Sequence, residues 1–527
     1  LILRKTQDPA FWREEFSITP ADLQYISTLL IENELPAPAD ELGRALVLHR
    51  YEEEEALIRR AASRGTPYRP ALSYEVGEDI VFPVLDYRLG SVVRLRDGHN
   101  PEYGEFKVVQ VEFENGQTRE FASELAEHPL NDDSAPVQLA DAQLKSGEDL
   151  AREHGETVGV ALESLLESDP HFVRLAGEWF RRDLLVEVHV GHLNLAEAVL
   201  DMNDGGPMPT EALIGDLELP EEISPQLRVF SLNYALQEDE RFDEVGPAGE
   251  VLWFLNRLEP EGARTPPRSL LYRGIEYDRT LLTSEMLALE RELDDEWSEF
   301  PPPAAVPEPV TVVLTYPHWR YGAIPLSSRL MKVFPTARTQ RIHFTFVDGD
   351  TGEEMTGWVV RGGRYVFGLK EWYETNKVPV GAYLDLSRSA EPGKVIVRRR
   401  RRRPRREWVR VALAVDAKLT FEMRQTRIPC EYDDLMVLEE EYPGAGDVVS
   451  ARARARRLTL PQAVSELFPE LVKLSPQGTV HAASLYSAIN LLVRTPPGPV
   501  FAELVVSEQY SPIGDNYWVL AHGPGRG

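Results

Sequence analysis

The spacing of apolar residues changes period four times along this chain, and that alternation most constrains what it can fold into. From Pro20 to Arg60 the spacing is helical. Leu23, Ile26, Leu29 and Leu30 recur at intervals of one to three residues behind the capping residue Thr19, and a second helical stretch follows the breaker Pro36-Ala37-Pro38. From Tyr74 to Asn131 the period is two, with turn signals at Gly90, at Gly98 with Asn100-Pro101, and at Asn115-Gly116. Asp141 to Leu258 reads as helices again, Val310 to Val397 alternates again, and two helical stretches follow Leu458. With 527 residues to distribute, this pattern predicts an α+β multidomain protein with several separate cores.

Charge is sorted as sharply as periodicity. Val310 to Cys430 holds 23 Lys/Arg against 11 Asp/Glu, a surplus of 12, in a chain whose net charge is −29. A polyanion is repelled by the average surface and attracted only to this segment, so nucleic acid is its expected ligand. Its extreme is RRRRRRPRR, with Arg398, Arg399, Arg400, Arg401, Arg402, Arg403, Arg405 and Arg406 around Pro404. Proline and consecutive like charges predict a loop there, with a phosphate-binding, salt-dependent role. Neutralisation of the block by the chain's own carboxylates is the competing expectation.

Between Asp141 and Leu258, GHLNLAEAVLDM, PMPTEALIGDL and SPQLRVFSLNYALQED read as three helices, and RFDEVGPAGEVLWFL as two short strands around a Gly-Pro-Ala-Gly bend. Three helices and a two-stranded wing predict a winged helix-turn-helix, and the segment resembles the HARE-type helix-turn-helix family. Its closing pattern recurs as FVRLAGEW at Phe172–Trp179 and YSPIGDNYW at Tyr510–Trp518, which predicts further wings. VGEDIVFPVLDYRLGSVV resembles the SH-three-like barrels of transcription-coupled proteins. The residues IPLSSRLMKVFP, FTFVDGDTGEEMTGWVV, YVFGLKEWYETN and VGAYLDL resemble the DNA-binding pseudobarrel of plant transcription factors and restriction-endonuclease effector domains. That likeness implies two arms entering the major groove, carrying Ser327, Arg329, Lys332 and Arg338 on the first and Arg361 and Arg364 on the second.

The expected organisation is therefore a helix-turn-helix-like domain at residues 1–68, a small antiparallel β-barrel at 69–135, a winged helix at 140–260, a charged helix with a proline-rich spacer at 261–309, the basic pseudobarrel at 310–450 and a winged helix at 458–522. The central winged helix is acidic, with 3 Lys/Arg and 14 Asp/Glu over Gly191–Leu258, and its third helix offers only Arg228 beside Ser231, Asn233 and Gln237. Such a surface suits protein better than phosphate. In the C-terminal copy the polar candidates are Arg494, His481 and Ser484.

Catalytic signals are sparse. Phosphate-loop, nucleophile-elbow and HExxH patterns are absent from the sequence. Asp97 with Glu105 and Lys107 imitates the acidic residue and E-x-K of metal-dependent nucleases, a pattern that chance supplies often in a charged chain. Cys430, the single cysteine, excludes a disulfide framework and fits a reducing cytoplasm. His189 and His192 read as structural. The N-terminus lacks the pattern of a secretory signal, and no apolar run is long enough to span a bilayer. These observations predict a cytoplasmic, non-enzymatic DNA-binding protein of the transcription- or chromosome-associated kind, which binds duplex DNA through the pseudobarrel and a protein partner, with RNA polymerase among the candidates, through its acidic winged helices. No cofactor, metal or membrane is expected. The alternatives are a protein-interaction scaffold and a restriction- or repair-type nuclease.

Overall fold

The computed structural model describes residues 4–521 except 86, 132–143, 176, 218, 221–222, 416–417, 440–449, 452 and 455. The expected boundaries near residues 135–140, at 450 and at 522 fall in or next to segments outside the described residues. The architecture is α+β, with six sheets divided between two compact units, Leu1–Val188 with Leu219–Tyr234, and His189–Glu218 with Ala235–Gly527.

In the first unit, α1 (Pro20–Asn33) starts from a capping box. Thr19 N–H donates to the Asp22 carboxylate at 2.7 Å, and Asp22 N–H donates back to Thr19 Oγ1 at 3.4 Å. A short β1 (Ala37–Pro38) leads into α2 (Ala39–Ala62). A five-stranded sheet follows, with β2 (Thr66–Pro67), β3 (Asp79–Phe82), β4 (Arg88–Asn100), β5 (Gly104–Phe113) and β6 (Thr118–Ser123) paired in chain order. It closes its own small core around Tyr74, Ile80, Phe82, Val92, Val109, Val111 and Phe113. The Asn115-Gly116 signal makes the β5–β6 turn, where Gly116 takes φ 74°.

After this sheet the chain returns as α3 (Gly147–Ser168) and a hairpin of β7 (Phe172–Leu175) and β8 (Glu178–Arg181). Strand β1 pairs with β8, and Leu30, Leu46, Leu150, Leu162, Phe172 and Phe180 share one core. The first two helices therefore do not form the separate domain expected at residues 1–68. They are completed by α3, and the five-stranded sheet is an insertion between α2 and α3. A Cβ on Gly43 of α2 would sit 2.3 Å from Gly155 O and 2.6 Å from Gly159 N of α3, so this crossing requires glycine.

The same order of elements occurs twice more. The chain continues through α4 (Val190–Met202), β9 (Met208–Pro209), α5 (Thr210–Ile214), α6 (Pro225–Gln237), β10 (Phe242–Glu244) and β11 (Leu252–Leu255), with β11 between β10 and β9. Residues of α6 up to Tyr234 belong to the first unit. The C-terminal set follows the barrel segment below. In all three, the short first strand pairs with the second strand of the hairpin, and the three aromatic-to-Trp patterns of the sequence are these hairpins.

The expected charged helix is shorter and better packed than its composition suggests, while the proline-rich stretch after it is largely exposed. Helix α7 (Ser284–Leu293) ends where Asp294 adopts φ 48°, and Asp294, Asp295 and Glu296 are buried. Beyond the prolines comes a seven-stranded sheet that curls into a half-barrel. In chain order it is β12 (Val310–Val313), α8 (Tyr316–Tyr321), β13 (Ala323–Pro325), β14 (Arg341–Asp348), β15 (Glu354–Val360), β16 (Tyr365–Phe367), α9 (Lys370–Asn376), β17 (Tyr383–Arg388) and β18 (Lys394–Arg399). The spatial order is β12-β17-β18-β14-β15-β16-β13, with β14 and β18 parallel and all other pairs antiparallel.

A long hairpin, β19 (Arg401–Val415) and β20 (Lys418–Cys430), follows with β21 (Val437–Glu439) at its side. The chain ends in α10 (Leu460–Val472), β22 (Thr479–His481), α11 (Ala482–Ile489), α12 (Pro497–Val506), β23 (Tyr510–Gly514) and β24 (Tyr517–Leu520). Among the described residues no helix is long and apolar enough to cross a membrane.

Candidate nucleic-acid interface

The arginine run is not a loop. Arg398 and Arg399 end β18, and Arg401 to Arg406 open β19. The ladder accommodates Pro404 by an irregularity: Arg401 faces Cys430 and Arg405 faces Ile428, so the arginine strand carries two extra residues there. A bulged segment needs no ladder donor from Pro404, which is why a proline did not end the strand.

The hairpin is anchored on both faces. Val409, Val411, Ile428 and Cys430 join the half-barrel core, while Ala412, Leu419 and Phe421 enter the core that holds α10 to α12. Period-two alternation then turns Arg406 and Trp408 of β19, and Gln425 and Arg427 of β20, toward a common face. Arg406 lies directly opposite Arg427, and both are exposed. Trp408 is 60 % exposed.

Five of the eight run arginines are engaged within the chain. Arg398 Nε donates to Gly349 O at 3.0 Å, and Arg399 donates to Asn376 O. Arg400 Nε donates to both Asp385 carboxylate oxygens at 3.1 Å and stacks 5.9 Å over Tyr383. Arg401 pairs with Asp350 at 2.8 Å, and Arg402 with Glu407 at 2.7 Å over the Tyr432 ring. The side chains of Arg403, Arg405, Arg406 and Arg427 are exposed and have neither ion pair nor hydrogen bond among the described residues.

The expected arm residues are distributed differently from what the pseudobarrel likeness implies. Ser327 is fully buried and donates to Asp294 at 2.9 Å, so it is not a surface contact. Arg329 donates to Thr311 O at 3.1 Å and lies 3.5 Å from Asp294. Burial raises the Asp294 carboxyl, with Arg329 opposing the shift. Arg364 donates to Glu296 O at 3.1 Å and stacks 4.6 Å over Trp297. Arg361 donates to the carbonyls of Arg338 and Thr339 at 2.8 and 3.0 Å. The chain's own Asp294–Trp297 segment thus occupies the end of the barrel where Ser327, Arg329 and Arg364 sit. Lys332, Arg338 and Arg361 are exposed, and so is Arg364 in spite of these contacts.

Other polar candidates have structural placements. Arg494 is buried against Asp295 and Glu296, and Ser484 donates to Leu435 O at 2.7 Å. His481 caps α11, and burial lowers it to about 4. His189 caps α4 with His192 stacked 3.6 Å away. In α6, Ser231 and Asn233 are buried, whereas Arg228 is half-buried and Gln237 exposed. Burial pushes the Cys430 thiol up to about 11, leaving it protonated and inert. Asp97 lies opposite Lys107, and Glu105 opposite His99, on an exposed part of β4 and β5, where Lys107 pairs with Glu124 at 3.2 Å. No group of three or more His, Cys, Asp or Glu among the described residues is arranged to hold a metal.

Sequence reasoning passed over Trp408 and Arg427. Their signal was available: REWVRVALAV and KLTFEMRQTRI both alternate, and pairing them as a hairpin puts the two residues on the face of Arg406. No protein-family model, curated protein or solved structure matches this chain.

Proposed function

We propose that this chain is a non-enzymatic DNA-binding protein whose phosphate contacts are made by the β19–β20 hairpin. In this reading the half-barrel is a DNA-binding pseudobarrel, the five-stranded sheet is an SH-three-like barrel, and the three repeated sets are winged helices, the central one of the HARE type. The observation that carries it is Arg406 directly opposite Arg427, both exposed and unpaired among the described residues; Arg403 and Arg405, exposed as well, precede Arg406 on the same strand, Arg405 by alternation on its other face. Like charges directly opposite each other across a sheet destabilise it, and a bound phosphate relieves that cost. The contacts are to backbone phosphate, so binding is sequence-tolerant and salt-dependent.

The repeated modules support a protein-docking role. Phe230 to Asn233 at the middle of α6, and Pro497 to Ala502 of α12, are buried, so α12 has little free face and α6 is exposed chiefly at its two ends. Acidic outer surfaces on the central module then suit a basic partner. Filter binding of duplex DNA across about 50 to 200 mM salt tests the proposal. Arg403→Gln, Arg405→Gln, Arg406→Gln and Arg427→Gln together should abolish retention; undiminished retention overturns the hairpin assignment. A scaffold that docks an acidic protein is the second reading. It is favoured by the arm arginines, which already grip an acidic segment of this chain, and it predicts no DNA retention at any of these salt concentrations.

A further inference from the structure

We infer that Trp408 stacks on an unpaired base, so that the hairpin binds single-stranded DNA in preference to duplex. This rests on the proposal that the same hairpin holds phosphates, and it adds the form of DNA that is held. Trp408 is 60 % exposed and makes no ring or hydrogen-bonding contact among the described residues. A single exposed aromatic on a surface is unremarked in general. This one lies two positions from Arg406, roughly 7 Å along the strand, on the face that also carries Arg427. Beyond it on that face come Arg410 and Met423, and then the buried Ala412 and Phe421. The indole is therefore mounted on a strand whose later residues are locked into a core, with the unpaired Arg406 and Arg427 on one side of it and Arg410, which donates to Asp434 O, on the other.

That combination fits one ligand chemistry. Phosphates satisfy the arginines, and a flat apolar surface satisfies the indole, at adjacent positions. In duplex DNA the base faces are covered by their neighbours, so an indole outside the helix gains nothing from them. An unpaired strand offers phosphate and open base face together, which is how stacking platforms with basic grooves bind single strands. An acidic peptide would meet the arginines but leave the indole without an aromatic face.

The test uses the full chain with a fluorescein-labelled 15-nucleotide oligo-dT, its duplex with oligo-dA, and oligo-rU of the same length, read by anisotropy at two salt concentrations. The wild type should bind oligo-dT more tightly than the duplex. Trp408→Ala should weaken oligo-dT about tenfold and leave the duplex unchanged, whereas Trp408→Phe should stay within about threefold of wild type. Equal loss on both DNAs, or no loss on either, overturns the stacking role while leaving the phosphate role intact. Oligo-rU bound tenfold more tightly than oligo-dT overturns the assignment to DNA. If the fourfold arginine variant binds both DNAs like wild type, the phosphate reading itself fails, and the stacking reading with it.

Discussion

Arg494 holds Asp295 at 2.7 Å with both side chains withdrawn from solvent, and the same guanidinium nitrogen lies 2.7 Å from Glu296. Tyr486 adds a 2.7 Å hydrogen bond to Asp295, and His318 lies 3.3 Å from Glu296. Burial pushes the Asp295 carboxyl up. At Glu296 burial acts the same way, but Arg494 and then His318 outweigh it and hold that carboxyl low. The cluster ties the acidic segment after α7 to the half-barrel and to the C-terminal helices, and so keeps that segment over Arg329 and Arg364. Part of the chain's charge asymmetry is thus cancelled inside it.

Removing Arg494 leaves two carboxylates buried without their cation. Arg494→Met should cost about 3 to 5 kcal/mol in denaturant unfolding, because the loss is an uncompensated charge and not merely a contact. Arg494→Lys should recover only part of this, since one ammonium cannot reach Asp295, Glu296 and Asn490 together.

The arms and the hairpin make opposite predictions. Arg329→Gln with Arg364→Gln should lower the melting temperature and leave DNA affinity within about twofold, because both guanidiniums already serve Asp294 and the Glu296–Trp297 backbone and ring. The fourfold hairpin variant should fold normally and reduce the magnitude of the slope of log affinity against log salt by up to about 3 to 4.

Where the β10–β11 hairpin packs on the half-barrel, burial raises Glu244 to about 7 and Glu259 to about 8, with Asp243 adding to both. Asp243 and Glu259 lie 2.6 and 3.1 Å from Arg341. Carboxyls whose folded pKa lies above the unfolded value near 4.5 bind more protons in the folded state, so stability falls as pH rises from about 4.5 through 8. Neighbouring His343, lowered to about 4 by burial, acts oppositely and removes stability as pH falls from 6.5 toward 4. Above about pH 6.5, where His343 no longer titrates, the melting temperature should therefore fall as pH rises, and Glu244→Gln with Glu259→Gln should flatten that alkaline limb. A melting temperature rising from pH 6 to 8.5 would show that these carboxyls are ionised at little cost.

Gly43→Ala should destabilise the first unit by about 1 to 3 kcal/mol or more, since its Cβ would fall 2.3 Å from the Gly155 carbonyl oxygen, and backbone atoms cannot rotate away as a side chain can. Gly249→Ala, with no atom within 4 Å of the new Cβ, controls for the cost of φ 92° alone. Thermal unfolding of the two variants separates clash from strain, and equal losses would mean the helix crossing has slack.

Local order was legible in the residues themselves. Thr19 with Asp22 dictates where α1 begins, Asn115-Gly116 makes its turn, and each aromatic-to-Trp stretch pairs with itself because its partner strand is only a few residues away. The position of the basic segment was equally plain. Tertiary structure decided which charges remain available. Asp350, Asp385 and Glu407 neutralise three arginines of the run, Asp294 and Glu296 close over the arms, and only the β19–β20 register exposes Arg406, Trp408 and Arg427 together. Likewise, α3 reaches α1 and α2 across an inserted sheet. Spacing along a chain encodes neighbours within a turn or a hairpin. Pairings across tens of residues depend on which apolar faces bury each other, and composition carries no record of that choice.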